Sequence, residues 1–172
     1  EVFEEGINET NMSNFLSGLD LVADGLDAFV CEVRRTLFNE SLKRDIPVIT
    51  AAPIGYGSAC LIFLPSGPNF DEYFAIKDTH TYHEKLIRFF VGLMPRMLQR
   101  NYMKGTNLEE KRGPSSIGAV NLCAGIMVIE ALKVLLKKGE VKAVPYYHQF
   151  DLMRGRYVVG RLPFGNRGPI QR

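Results

Sequence analysis

An excess of charge of one sign is what this chain most lacks: 21 Lys and Arg stand against 19 Asp and Glu, a net charge of +2. So even a balance builds no single-sign field, and nucleic acid is not an expected partner. Arg154, Arg156, Arg161, Arg167 and Arg172 make the end of the chain locally basic, which reads as a solvated tail. Long apolar runs are missing too. The strongest, Cys60 to Leu64 and Ile117 to Leu136, are too short or are interrupted by Asn121, Glu130 and Lys133, so no membrane contact is expected. Cysteine is scarce and unpaired: Cys31, Cys60 and Cys123 are widely spaced and form no Cys-x-x-Cys. That excludes a zinc ribbon or a disulfide framework and fits buried thiols in a reducing, cytoplasmic setting. No signal peptide, internal repeat or low-complexity tract occurs. Nor does a Gly-x-Gly-x-x-Gly.

What is present describes a globular domain. With 172 residues, 46% hydrophobic and 23% charged, the chain suffices for one core, and residues 1–172 read as a single α/β domain. Residues 1–18 are polar loop with one helical turn near Met12 to Leu16. Leu19 to Ala23 is a short apolar run that ends at Asp24 and Gly25, which suits a buried parallel strand. Ala28 to Arg44 follows at helical spacing, with Asp27 placed to cap it. Ile46 to Ala52, β-branched with Pro47 at its entry, completes a β-α-β unit. Pro53, Gly55 and Gly57 then bend the chain into Ser58 to Leu64. The connection is too short for a crossover, so this strand should run antiparallel.

The stretch 69–111 is helical but broken. Leu86, Phe89, Phe90 and Leu93 share one face of a helix that Pro95 limits. The many aromatic residues around it read as packing rather than as a stacking platform for bases. The clearest helix starts after Pro114, capped by Ser115 or Ser116, and stops at Lys137-Lys138-Gly139. Gly118 and Gly125 lie on one of its faces, where they would admit a close neighbour. Tyr146 to Leu152 and Tyr157 to Leu162 suggest a hairpin, and Pro163 to Arg172 should be irregular.

Three places could carry chemistry. Asp24 and Asp27 fall at the carboxyl end of the first strand, where open α/β sheets bind ligands, and a carboxylate there can hold a hard cation such as Mg²⁺. On local pattern alone the alternative is favoured, with Asp27 as a helix cap and Asp24 as an acceptor for turn amides. Gly55-Tyr56-Gly57 is followed by a strand and not by a helix, so it is a turn and no dinucleotide loop. His80 and His83 could form a metal pair on a helix, but no third ligand completes a site. No local pattern singles out Cys31, Cys60 or Cys123 as a nucleophile.

Order and residue identity together carry a resemblance. Phe15-Leu16, Asp20-Leu21-Val22-Ala23-Asp24-Gly25-Leu26-Asp27, Arg34, Ile46-Pro47-Val48-Ile49 and Gly55 resemble the ubiquitin-activating, ThiF/MoeB/HesA-type adenylyltransferase superfamily. Ser116-Ile117-Gly118-Ala119-Val120, Ala124-Gly125, Glu130-Ala131-Leu132-Lys133 and Gly139 are similar to that family's late helix. Tyr147-His148-Gln149-Phe150-Asp151 and Gly165-Asn166-Arg167-Gly168-Pro169 resemble a bacterial branch, some of whose members are fused to a nitroreductase-like domain.

The resemblance implies a Rossmann-like three-layer α/β fold with a mixed parallel and antiparallel sheet. It also implies ATP-dependent activation of a carboxylate, commonly the C-terminus of a small ubiquitin-like or sulfur-carrier protein. ATP and Mg²⁺ are the implied cofactors and a homodimer the implied assembly. Asp27 corresponds to the second acid of the family's Asp-x-x-Asp pattern, which serves the metal; Asp24 supports it, and Arg34 approaches phosphate.

The sequence departs from the family at three points. Ala28 stands where the family has a polar residue, and Arg34 is offset from the family's helix arginine. The family's first β-α-β, with its glycine-rich ATP loop, would lie ahead of Glu1. The crossover from Phe70 to Arg112 contains no cysteine, so the resemblance favours the branch that forms no enzyme thioester. A second reading is a non-catalytic module for dimerisation or partner docking. A third is an ordinary Rossmann-like oxidoreductase.

Overall fold

In a computed structural model, residues 2–103 and 113–169 are described. Five strands form one sheet in the order β1-β2-β3-β4-β5. They are β1 Val22–Asp24, β2 Val48–Ile54, β3 Gly57–Phe63, β4 Tyr146–Asp151 and β5 Arg156–Arg161. β1 and β2 are parallel, with Asp24 opposite Thr50. Every later pairing is antiparallel. Among the described residues five α-helices accompany them: α1 Met12–Phe15, α2 Cys31–Lys43, α3 Phe70–Phe74, α4 Tyr82–Leu93 and α5 Ile117–Leu136.

Side-chain alternation along β2 and β3 divides the core in two. Val48, Ala59, Leu61 and Phe63 face a large cluster shared with Leu37 and Phe38 of α2, Phe70, Tyr73 and Phe74 of α3, and Phe89 and Leu93 of α4. Ile49, Ala51, Cys60 and Ile62 face the other way, against Cys123 of α5. Phe70, Tyr73, Phe74 and Phe89 of the crossover are core, as the aromatic pattern suggested, whereas Tyr82 is exposed; Phe70 and Phe74 lie 4.6 Å apart, and Phe38 of α2 meets Phe63 of β3 edge-on at 5.1 Å. The result is a three-layer α/β sandwich.

Local signals set most boundaries. Thr81 and Glu84 form a reciprocal capping box at the start of α4, and Asn69 and Glu72 form one for α3. Of the two candidate caps for α5, Ser116 is the one used, its side chain accepting from the Ala119 amide. Gly55 adopts φ +59° in the two-residue turn between β2 and β3, a hairpin position that favours glycine.

Three expectations need correction. Asp27 does not cap α2, because the helix begins later: Val30 is the capping residue and contributes no side-chain bond. The chain end is no loose tail over its described part, because a 3-10 turn at Gly165–Arg167 buries Asn166, whose amide donates to the carbonyls of Phe74 and Arg88. The last basic residue, Arg172, lies outside the described residues. Finally, α5 is long and apolar enough, by length and composition, to cross a bilayer, with a mean hydropathy of 2.0. Two charged residues in twenty, Glu130 and Lys133, do not lower it below that level. A core helix of a soluble protein passes the same test, and the Cys123 side of α5 does pack on the sheet.

Candidate functional site at the carboxyl end of the first strand

The chain leaves β1 at Asp24 and turns through Gly25 to Phe29 before entering α2. Asp24 is 2% exposed. Its Oδ1 accepts from the Leu26 amide at 3.0 Å, and its Oδ2 accepts from Arg34 Nε at 2.8 Å. Arg34, 3% exposed, reaches back from the first turns of α2. Its other nitrogens donate to the Leu26 carbonyl and, at 3.5 Å, to the Ala28 carbonyl. The guanidinium lies over the Phe89 ring at 4.8 Å, which adds a cation–π contact from α4. Arginine suits this position because its planar fork can serve one carboxylate and two carbonyls at once.

The loop is thus clamped from beneath. From the side, the Tyr82 hydroxyl donates to the Phe29 carbonyl at 3.0 Å. Around α2, Lys85 pairs with Glu32 at 2.7 Å, and Arg35 forks onto Asp71 at 2.6 and 2.8 Å while also reaching Asp78. Phe29 packs edge-on against Phe90 of α4.

On this clamped loop Asp27 is exposed. Its Oδ1 accepts from the Phe29 amide at 2.8 Å, an Asx-type turn that fixes the carboxylate's direction. Oδ2 has no partner among the described residues. The two acids therefore divide the work: Asp24 is consumed by structure, and Asp27 is offered to solvent. An oriented carboxylate with one oxygen open fits Mg²⁺, which takes one or two protein carboxylates and fills its remaining positions with water and phosphate oxygens. The described residues show no comparable cradle for the phosphates themselves.

The structure brings Asp24 and Arg34 together and sets Asp27 apart from them. Arg34 points into the core and is fully engaged there, so its position is that of a brace for the loop. A signal for this was present: Arg34 shares a helical face with Leu37, Phe38 and Ser41, three, four and seven residues on, and an arginine on an apolar face needs a buried partner. His80 is not poised for metal, since its Nδ1 accepts from the Lys77 amide, and no cluster of three ligating residues exists among the described residues. All three cysteines are free and buried, and burial raises each thiol's pKa, which argues against a nucleophile. Two open clefts, of about 350 and 230 Å³, are lined by Pro68, Tyr73 and Phe164 and by Ile87, Arg88 and Val91, and neither includes the acids.

A mixed sheet sandwiched by helices, with a parallel pair at one edge, defines a Rossmann-like α/β class. The chain belongs to the ThiF family, whose model matches residues 1–167. Similar solved structures include PaaA, with 14% identity and a TM-score of 0.55 over 91% of this chain and 46% of that one. Another is Escherichia coli MccB with ATP, at 11% identity and a TM-score of 0.54 over 96% of this chain and 44% of that one. MccB has also been captured with MccA-N7isoASN, at 10% identity and a TM-score of 0.55. At these identities the likeness is one of fold, and this chain spans under half the length of either neighbour. No curated protein matches the sequence.

Proposed function

We propose that this chain carries the metal-holding half of an ATP-dependent adenylyltransferase site that activates a carboxylate without an enzyme thioester. The observation that carries the reading is Asp27, held in a fixed direction by the Phe29 amide on a loop braced by Asp24 and Arg34, with Oδ2 open. Family membership supports the same chemistry.

In the reaction a substrate carboxylate oxygen attacks the α-phosphorus of ATP, forming an acyl-adenylate as pyrophosphate leaves. Mg²⁺ supplies charge neutralisation of the phosphates. The chain's own contribution is positional: Asp27 offers the metal an anionic ligand, while Arg34 and Asp24 keep that ligand from drifting. MccB, which is similar in fold, has been crystallised with ATP and with MccA, and this supports a peptide or small protein, such as a ubiquitin-like or sulfur-carrier protein, as the bearer of the carboxylate. A homodimer is the assembly that accompanies this reading.

ATP–pyrophosphate exchange by the full-length protein with candidate carboxylate substrates tests it. Asp27→Ala should lower exchange by about 100-fold, equivalent to about 3 kcal/mol of transition-state stabilisation. Undiminished exchange would remove Asp27 from the site. Failure of the full-length protein to bind ATP would favour a docking module, a reading supported by the uncovered apolar face of α5.

A further inference from the structure

Strand β5 ends the sheet, and its outer edge is open. The Leu162 amide donates to the Pro145 carbonyl at 2.8 Å on the β4 side, so by the alternation of an antiparallel ladder Gly160, Val158 and Arg156 also turn their backbone groups toward β4. Tyr157, Val159 and Arg161 turn theirs outward, and among the described residues nothing pairs with them. Edges are ordinarily blunted by a proline, a bulge or a charge within the strand. β5 has none of these. Its register against β4 is unbroken from Arg156 to Arg161, and between those two arginines stand only Tyr157, Val158, Val159 and Gly160. Tyr157 and Val159 are 55% and 38% exposed. The Tyr157 ring is held in place by stacking on Phe150 at 4.1 Å and by its hydroxyl, 3.0 Å from His148 Nδ1.

We propose that this edge takes up an extended, acidic segment of another protein as a further strand. The outward backbone groups of Tyr157, Val159 and Arg161 supply the ladder, and the flanking charges supply the choice of partner. Every charge on β5 and on the turn before it is positive: Arg154, Arg156 and Arg161 are exposed. The neighbouring acid, Asp151, is buried and already accepts from the Tyr102 hydroxyl and the Arg154 amide. Arg156 and Arg161 lie five residues apart, about 17 Å along the strand, which sets the spacing of acids in the incoming segment. A second copy of the chain fits poorly, since it would bring the arginines of both strands to one seam with no acid between them. Nucleic acid fits poorly too, because a phosphate backbone offers acceptors and would leave the outward carbonyls without donors. β5 lies at the far side of the sheet from β1, four strand spacings or about 19 Å away, so the docked segment is separate from the carboxylate proposed to meet Asp27. The inference is independent of the catalytic reading and stands even if the protein adenylates nothing.

Fluorescence anisotropy on the full-length protein with a labelled peptide, Glu-Glu-Thr-Val-Thr-Val-Glu-Glu, tests it. A dissociation constant of about 10–100 µM is expected, with the counterpart Lys-Lys-Thr-Val-Thr-Val-Lys-Lys weaker by about 10-fold or more. Val159→Pro deletes one outward N–H that β4 does not use. Proline is tolerated on the open side of an edge strand, so the melting temperature should move by no more than a few degrees while binding weakens by about 10-fold. Arg156→Glu and Arg161→Glu, made together at exposed positions, should reverse the preference in favour of the lysine peptide. No saturable binding of the acidic peptide up to about 1 mM, or binding that neither variant alters, overturns the proposal. So does self-association of the full-length protein that Val159→Pro abolishes, because the edge would then serve a second copy. A single-stranded oligodeoxythymidine that binds about 10-fold more tightly than the peptide, and is lost in the double arginine variant, overturns it as well.

Discussion

Removing the Arg34 side chain should be the most informative perturbation of the loop that holds Asp27. Among the described residues the guanidinium is the only cation paired with the Asp24 carboxylate, whose side chain is 0% exposed. Arg34→Met keeps the aliphatic volume but leaves that carboxylate buried and unpaired, which costs about 3–5 kcal/mol. The carbonyls of Leu26 and Ala28 lose their donor as well, at roughly 1 kcal/mol each where water does not replace it. Because a domain of this size has only about 5–15 kcal/mol of stability, the variant should sit near its unfolding threshold.

Asp24→Asn in the same background removes the stranded charge while still accepting from the Leu26 amide. The double variant should therefore regain about 2 kcal/mol relative to Arg34→Met, and the cycle should show coupling of the same order. Arg34→Lys should fall in between, since an ammonium cannot serve the carboxylate and both carbonyls. Urea unfolding followed by circular dichroism gives these energies if the denaturant slope stays constant. Amide exchange at Leu26 and Phe29 should accelerate in Arg34→Lys, because those amides bond to the two acids the brace positions. A cost below about 1 kcal/mol for Arg34→Met, or coupling near zero, would refute the view that this pair supports the loop.

Stability should also fall on the alkaline side. Tyr73, Tyr102, Tyr147 and Tyr157 have raised pKa values, caused first by burial, so the fold favours the protonated phenol; the stabilisation is complete below a pH of about 10 and is lost as pH climbs past it. Tyr102, whose hydroxyl donates to Asp151 Oδ2 at 2.9 Å, offers a control: Tyr102→Phe should cost about 1 kcal/mol near neutrality and flatten the alkaline slope, and an unchanged slope would contradict the assignment. The three thiols, held protonated by burial, should resist a thiol reagent at neutral pH and react only on unfolding. Rapid native labelling of any one of them would show that its site opens.

Much of the fold is legible in residue order because its determinants are local. The five residues from Pro53 to Gly57 leave no room for a crossover, which makes β3 antiparallel to β2 before any tertiary contact is considered. Ser116, the Lys137–Gly139 stretch and the apolar residues between them delimit α5, although the left-handed residue at its end is Lys137 and not glycine. Periodicity could not say which side of α5 is covered. Both sides are apolar, and the sheet takes the one with Cys123 and Glu130.

The same limit applies to the acids. Asp24 and Asp27 are chemically identical and three residues apart, and local pattern reads Asp24 as an acceptor for turn amides and Asp27 as a helix cap, which leaves neither open to a ligand. What separates them is Arg34, ten residues beyond Asp24, which comes within 2.8 Å of that acid only once α2 has packed under the loop and Phe89 has closed over the guanidinium. An arginine on the apolar face of the helix after a strand-end Asp-x-x-Asp therefore predicts that the first acid is spent on structure. The second is then held in a fixed direction, since its loop is anchored at both ends: at one by the buried pair, and at the other by Tyr82 on the Phe29 carbonyl. That division gives Asp27 a carboxylate oriented before any cation arrives, which is the condition for an electrostatic contribution that need not reorganise during reaction.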